Sequence, residues 1–530
     1  MTFYSTYPDV EIPECSVYDY IFSSLKADEL DLVAIVDGPQ KMTYAELRRS
    51  IDALAGALDN RGVRSGDVVA LHAPNSIGFM VAFHAVLRLG ATVTTLNVLY
   101  SPAEIANQIN DAQAKLYLTT SMLLPNALKG LEEAGLSRDH VILLDQAENY
   151  VSISELIQQS RRPPEVVFDS ATHLAVLPYS SGTTGKAKGV MLSHLNLVAN
   201  IAQTDPMLPK YENKAVLAVL PFFHIYGMNI IMNLTLQQRG KLVILSKFDL
   251  KPCLELIQNE RCATLYIAPP IAVALTKYPL LKDYDLSSVR LIVCGAAPMD
   301  EGLGTTLVER IPALLLQGFG MTELAPVSHV TPLNQPEIPV GSVGFAIPNI
   351  CFKVIDPQTG KEIEGVSHGR SQPGEMLVKG PNVMLGYLNN QEATDETITA
   401  DGYLHTGDIV EVGAYGEVYV VDRLKELIKY KGYQVAPAEL EALLLTHPDI
   451  YDAAVVAYPD EDAGEVPRAF IVRQPGSDLD QKQVTAFVTE RVAAHKRVRI
   501  VEFIEAIPKS LQGKILRKEL KGLPLQASTG

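Results

Sequence analysis

The sequence predicts an α/β protein: a large N-terminal domain of αβ-sandwich sheets with a β-rich subdomain, then a small mobile C-terminal α+β domain. Three observations predict it. Short, wholly apolar strands alternate with amphipathic helices over the first four hundred or so residues, the pattern of parallel sheets covered on both faces. From about Gly341 the chain turns to glycine-punctuated β segments. Near Asp422 a mixed helix and strand pattern returns, for about a hundred residues, enough for a domain of its own.

The elements follow in order. Thr43 opens a helix: with Glu46 it has capping-box spacing, apolar residues recur at intervals of three and four, and Gly62 is a stop signal. VVALHAP (68–74) reads as a buried strand, a helical stretch runs to Gly90, and ATVTTL is the next strand. HLAVLPY, KLVILS, ATLYIAP and VRLIVCG repeat the strand type, and GEMLVKG and GEVYVVD belong to the β-rich part. Beyond Asp422 come a helix opened by Pro437 and Glu439, the strands DAAVVAY and AFIVR, and an amphipathic helix around Val484–Val492.

A chain of 530 residues exceeds what one core usually holds. Its formal net charge of -16 favours solubility and argues against a nucleic-acid or acidic-membrane partner. Any phosphate site must therefore be locally basic. Cys15, Cys253, Cys262, Cys294 and Cys351 are scattered without a CxxC pair, which reads as reduced thiols. The opening MTFYSTYPDVEIPE lacks the basic start and apolar run of a signal peptide, and no apolar run approaches membrane-spanning length. The C-terminus carries no Ser-Lys-Leu address, so a cytoplasmic protein with no stable membrane anchor is expected.

The strongest local signal is YSSGTTGKAKG, Tyr179 to Gly189. Gly182, Gly185 and Gly189 allow backbone N–H groups to approach an anion, Ser180, Ser181, Thr183 and Thr184 add hydroxyl donors, and Lys186 and Lys188 add charge, as a polyphosphate requires. The spacing is not that of a Walker A loop, and GVMLS after it reads as a strand, so the loop joins two strands. In QGFGMTE, Gln317 to Glu323, Gly318 and Gly320 permit close approach to a flat ligand, Thr322 offers a hydroxyl, and Glu323 a hard oxygen for magnesium. YLHTGD places Asp408 where a carboxylate can hold ribose hydroxyls, although alone it fits an ordinary Gly-Asp turn equally well. Arg423, Lys425, Lys429 and Lys431 cluster at the expected domain boundary, and PKSLQGK puts Lys514 near the C-terminus.

Together these segments, in this order and spacing, resemble the adenylate-forming superfamily of acyl-CoA synthetases, luciferases and adenylation domains. The resemblance spans essentially the whole chain. LPYSSGTTG, PFFHIYG, YIAPP, GAAP, MTELAPVSH and IKYKGYQVAPAELE look most like the 4-coumarate:CoA ligase group, particularly its bacterial members. Three departures stand out: Lys186-Ala187 in the phosphate loop, Tyr433 for Phe, and Gly227 where plant members often carry Ser.

The resemblance implies domains 1–421 and 422–530 with a hinge at Asp422, and an ATP-dependent acid–CoA ligase working through an acyl-AMP with ATP, Mg²⁺ and coenzyme A. Ser180, Ser181, Gly182, Thr183, Thr184 and Lys188 would hold the ATP phosphates. Gln317, Gly318 and Thr322 would lie around adenine and α-phosphate, Asp408 and Arg423 at the ribose with Lys425 nearby, and Glu323 on Mg²⁺. Lys514 would serve adenylation. His224 and Lys429 would contact the acyl-adenylate, with Gln434 nearby, and Lys247, Lys431 and Gly432 would contact CoA. Tyr226, Gly295, Ala296, Gly320, Pro326 and Val327 would line the acid pocket. Small residues on one wall and a tyrosine face suit a flat ring, which favours 4-coumarate or a related cinnamate. The alternatives are a medium-chain fatty acid in the same slot, a luciferase-type oxygenase, or a module loading a carrier protein. A monomer or homodimer is expected.

Overall fold

The computed structural model describes residues 1–180, 187–297, 299, 301–335, 338–339, 341–431, 433–460, 462–510 and 513–525. Two nine-stranded sheets form the body of the N-terminal part among these residues. In the first, Thr92–Thr95, Val68–His72, Leu116–Thr119, Val141–Leu143 and Val151–Ser152 run parallel, joined by Leu174–Val176. Lys188–Ser193 then pairs antiparallel with Leu174–Val176 and with Tyr179–Ser180. The phosphate-loop segment thus does join two strands.

In the second sheet Leu314–Gly320, Leu291–Cys294, Thr264–Ile267, Ala215–Ala218, Lys241–Ile244 and Val33–Asp37 run parallel. Every residue of Leu291–Cys294 and Thr264–Ile267 is buried, because helices cover both faces. The helix Tyr44–Asn60 begins at Thr43, whose side chain accepts from Glu46 N while Glu46 accepts from Thr43 N, the expected capping box. A third, antiparallel sheet of five strands carries Gly374–Lys379, Leu404–Val412 and Val418–Arg423, the β-rich subdomain.

The C-terminal part has separate hydrophobic cores, one built on Ile428, Leu440, Val455, Ile471 and Val484. Its sheet sets Ile450–Asp460 against Gly464–Arg473, flanked by the helices Pro437–Leu445 and Gln481–Thr489. Asp422 sits at the seam. It pairs with Ile409 in the strand Val418–Arg423, and its Oδ2 accepts from Ala438 N, in the first turn of Pro437–Leu445, at 2.8 Å. Ile409 packs there with Leu427 and Ala436. At the far side Arg468, fully buried, donates to Glu502 at 2.8 Å and to the carbonyls of Leu523 and Pro524 at 2.9 and 3.1 Å. Among the described residues no helix is long and apolar enough to cross a membrane.

Candidate active site

The strand Leu314–Gly320 ends in the short turn Thr322–Leu324, which delivers Glu323 into the interior. Its Oε1 accepts from Ser180 Oγ at 3.0 Å and from Tyr387 OH at 2.9 Å. Lys188 Nζ lies 4.5 Å from the centre of the Tyr387 ring. The two antiparallel strands flanking the phosphate-loop segment thus bring Ser180 to Glu323 and Lys188 to the ring of Tyr387, which itself donates to Glu323. Ser181, Gly182, Thr183 and Thr184 lie outside the described residues. Among the described residues no ion pair involves Glu323, and a buried carboxylate with only hydroxyl donors suits a divalent cation shared with phosphates.

A second group converges beside it. Asp408 is buried on Leu404–Val412, and Arg423, its partner in the register of the adjacent strand, reaches it with Nε at 3.3 Å. Burial pushes the Asp408 carboxyl up to about 6, against the opposing charges of Arg423 and Lys514. Burial pushes Lys514 down to about 8, helped by Arg423 and opposed by Asp408. The His224 imidazole is held down at about 4 by desolvation and then by Lys514, so it is neutral at neutral pH. The charge of one lysine of the C-terminal part is therefore felt by Asp408 and His224 of the N-terminal part and by Arg423 next to the seam.

Packing explains how Lys514 is held. Gly513 has φ +82°, and a Cβ there would stand 2.2 Å from Pro270 Cγ, so the loop lies hard against the start of the helix Pro269–Lys277. Three residues after Lys514, Arg517 binds both oxygens of buried Glu441 at 2.8 Å, tying the loop to the helix that Asp422 caps. At the other end of Pro269–Lys277, Lys277 Nζ lies 4.2 Å from the ring centre of Tyr451, a C-terminal residue.

The acid-pocket candidates fall into two contacting groups. Tyr226 opens the helical turn Tyr226–Leu234 and donates to Val293 O at 3.2 Å; its ring lies over Gly295, where a Cβ would sit 3.3 Å from Cε1. Ala296, next in line, is left-handed at φ +71°. Gly320 pairs with Val327, and a Cβ there would meet Pro326 O at 2.2 Å. Its missing side chain makes room for the backbone of Pro326, where the sequence suggested room for a flat ligand. Gly227 likewise has Pro221 O where a Cβ would stand at 2.0 Å, so this departure from Ser is a backbone packing requirement. Gln317, buried, uses its carboxamide on Met299 N and O at 3.3 and 3.2 Å. Gly318 pairs with Val330, and Thr322 is half-buried beside Glu323.

The remaining lysines are elsewhere. Lys429 and Lys431 are exposed around the hairpin formed by Ile428–Tyr430 and Tyr433–Val435; Lys429 N bonds Glu465, and Lys431 is left-handed at φ +48°. Lys425 is exposed, and Lys247 is exposed after the strand Lys241–Ile244. Gln434 is on Tyr433–Val435, and Gly432 lies outside the described residues.

Sequence reasoning missed Tyr387 and Pro270. Tyr387 stands in a plain Gly-Tyr pair with no chemical signal, and only the pairing of Gly386–Tyr387 with Lys188–Ser193 brings it to Glu323. Also missed was a row of buried asparagines behind the pocket, of which Asn229 donates to Ala325 O at 2.7 Å. Their signal was present as Asn196 and Asn200, four apart among the apolar residues of one helix.

Residues 23–388 match the family model described as AMP-binding enzyme, and residues 439–514 the one described as AMP-binding enzyme C-terminal domain. The chain is 42% identical to 4-coumarate-CoA ligase 1 of Narcissus pseudonarcissus, covering 98% of this chain and 96% of that one. It is 40% identical to 4-coumarate–CoA ligase 4 of Arabidopsis thaliana, covering 98% and 94%. Among solved structures, ATP-bound MatB from Rhodopseudomonas palustris superposes with a TM-score of 0.87 at 28% identity, over 96% of this chain and 98% of that one. The apo form of the same protein gives 0.77 at the same coverage, so the arrangement described above is nearer the ATP-bound one.

Proposed function

The chain belongs to the AMP-binding enzyme family, and from that premise we propose that it is an ATP-dependent acid–CoA ligase whose acid is a hydroxycinnamate, 4-coumarate first. The observation that carries the reading is the full-length similarity to two plant 4-coumarate–CoA ligases, joined to a site in which Lys514 meets Asp408, Arg423 and His224.

A carboxylate is a poor electrophile, and its oxygen a poor leaving group. Bonding one carboxylate oxygen to the α-phosphorus of ATP, with loss of pyrophosphate, turns that oxygen into part of AMP, which leaves readily. The CoA sulfur then bonds the carbonyl carbon and AMP departs. No protein nucleophile is required; positioning and charge supply the acceleration. In this reading Lys514 faces the charge developing at the α-phosphate, Asp408 and Arg423 hold the ribose, and Ser180 and Lys188 the outer phosphates. Glu323 would hold Mg²⁺, which when bound supplies positive charge against the phosphate oxygens. Neutral His224 can accept a hydrogen bond but carries no charge to hold the acid, which suits orienting the acyl group. Tyr226, Gly295, Ala296, Pro326 and Val327 form the acid pocket, Lys429 contacts the acyl-adenylate, and Lys247 and Lys431 await CoA. Five free cysteines suit a cytoplasmic enzyme.

The test is pyrophosphate release from ATP and Mg²⁺ with cinnamate, 4-coumarate, caffeate, octanoate and palmitate, each with and without CoA. Release with the aromatic acids, with CoA consumed in step, is expected. Release with octanoate alone would move the assignment to fatty acids, and none with any acid would overturn the reading.

A further inference from the structure

The helix His194–Thr204 is buried at every residue but Leu195, yet it carries three carboxamides on one side, Asn196, Asn200 and Gln203. Buried carboxamides cost free energy unless their groups are bonded, so where those bonds go identifies what the residues are for. Asn200 bonds Val327 twice, donating to its carbonyl at 2.7 Å and accepting from its N–H at 3.1 Å. A side chain thus acts as the strand partner of Val327 opposite Gly320. Asn196 donates to the carbonyls of Pro381 and Val383, both at 2.9 Å, and so fixes the residue between them. That residue, Asn382, is fully buried and donates to the carbonyls of Leu324 at 2.6 Å and Val327 at 3.1 Å.

Asn200 and Asn382 thus converge on four residues, Leu324 to Val327. They directly follow Glu323, and two of them, Pro326 and Val327, are acid-pocket candidates. The stretch needs holding, because Ala325 has φ +62°, a left-handed conformation unfavourable for alanine that persists only where its surroundings over-determine it.

We propose that Asn200 and Asn382 are positioning residues that set the shape of the acid pocket through the wall Leu324–Val327, and so govern which acid is accepted. They touch the wall from behind, with no part in the chemistry. The inference rests on the acid–CoA ligase reading. Gln203 supplies a built-in control: it lies on the same helix, equally buried, and makes the same kind of bond, but to Pro348 O at 2.8 Å, off the pocket wall.

The experiment compares Asn200→Ser, Asn382→Ser and Gln203→Ser with the unaltered chain, measuring KM for ATP, kcat/KM for 4-coumarate and octanoate, and thermal midpoint. Both asparagine variants are expected to raise the KM for 4-coumarate about tenfold and to change the 4-coumarate to octanoate ratio of kcat/KM by at least fivefold. KM for ATP should move less than twofold, and Gln203→Ser should lower the thermal midpoint while leaving the ratio intact. An unchanged ratio in the asparagine variants, or the same change in Gln203→Ser, overturns the inference. Should Asn200→Ser not fold, Asn382→Ser, which leaves both Asn200 bonds in place, is read by the same criteria. Activity of the unaltered chain on none of the acids would instead defeat the ligase reading itself.

Discussion

The C-terminal part carries two lysine-bearing loops in opposite circumstances. Lys514 is drawn into the site: its ammonium interacts with Asp408, Arg423 and His224, Gly513 presses on Pro270, and Arg517 anchors the loop to Glu441. Lys429 and Lys431 stand exposed around a hairpin, with the backbone of Lys429 tied to Glu465 on the same small domain. The C-terminal part thus partly buries Lys514 near Asp408 and leaves Lys429 and Lys431 exposed. The nearer fit to ATP-bound than to apo MatB agrees with an arrangement suited to the first half-reaction. Serving the second with Lys429 and Lys431 would require the domain to turn about Asp422.

The sharpest break in this comparison is Lys514→Ala. It should lower acyl-AMP formation by about 10²–10³, the effect of deleting a donor aimed at developing charge. Thioester formation from supplied acyl-AMP should stay within about threefold of the parent, since that step uses the other loop. Equal losses in both half-reactions would erase the distinction between the loops.

Acidity sharpens it next. Lys514, pushed down to about 8, holds its proton below that pH and loses it as pH rises through it. Asp408, pushed up to about 6, is a carboxylate above that pH and is neutralised as pH falls through it. In pyrophosphate exchange, kcat/KM for ATP should therefore be flat between about 6 and about 8 and fall roughly tenfold per unit outside. Retention of the upper limb in Lys514→Ala would assign that limb to another group.

The exposed loop is tested by Lys431→Ala. CoA KM should rise about tenfold with pyrophosphate exchange unchanged, as for one lost charge-assisted contact. The smallest expected effect is at the contact between the parts. Tyr451→Ala removes the ring under Lys277 and should slow adenylation relative to thioester formation about two- to fivefold. A change in the opposite sense would mean that this contact favours the other arrangement.

Much of the fold was legible in the sequence, because apolar strands such as Leu291–Cys294 and capped helices such as Tyr44–Asn60 are decided by local pattern. Sheet order was not. Val33–Asp37 joins Lys241–Ile244 across two hundred or so residues, a pairing that periodicity does not encode. In the site, Glu323, Asp408, Arg423 and Lys514 were singled out only by their motifs taken together and the resemblance those carry, since each alone fits an ordinary turn or surface charge. Residues that act by placement were not. Tyr387 reaches Glu323 only through sheet pairing, and Gly320 is small for the sake of a neighbouring carbonyl. Nor could the sequence say which of Lys429, Lys431 and Lys514 occupies the site in a given arrangement, since these three sit on one domain.

The grip of Arg468 on the carbonyls of Leu523 and Pro524 has a bearing on how this chain can be shortened or extended. A chain cut at Gly522 would strip a fully buried guanidinium of both carbonyl partners, leaving Glu502 alone to compensate it. The loss would fall on the domain that carries every candidate lysine of the second half-reaction except Lys247. An affinity handle appended beyond Pro524 leaves that clasp whole, whereas one that replaces Leu523 and Pro524 would loosen the domain.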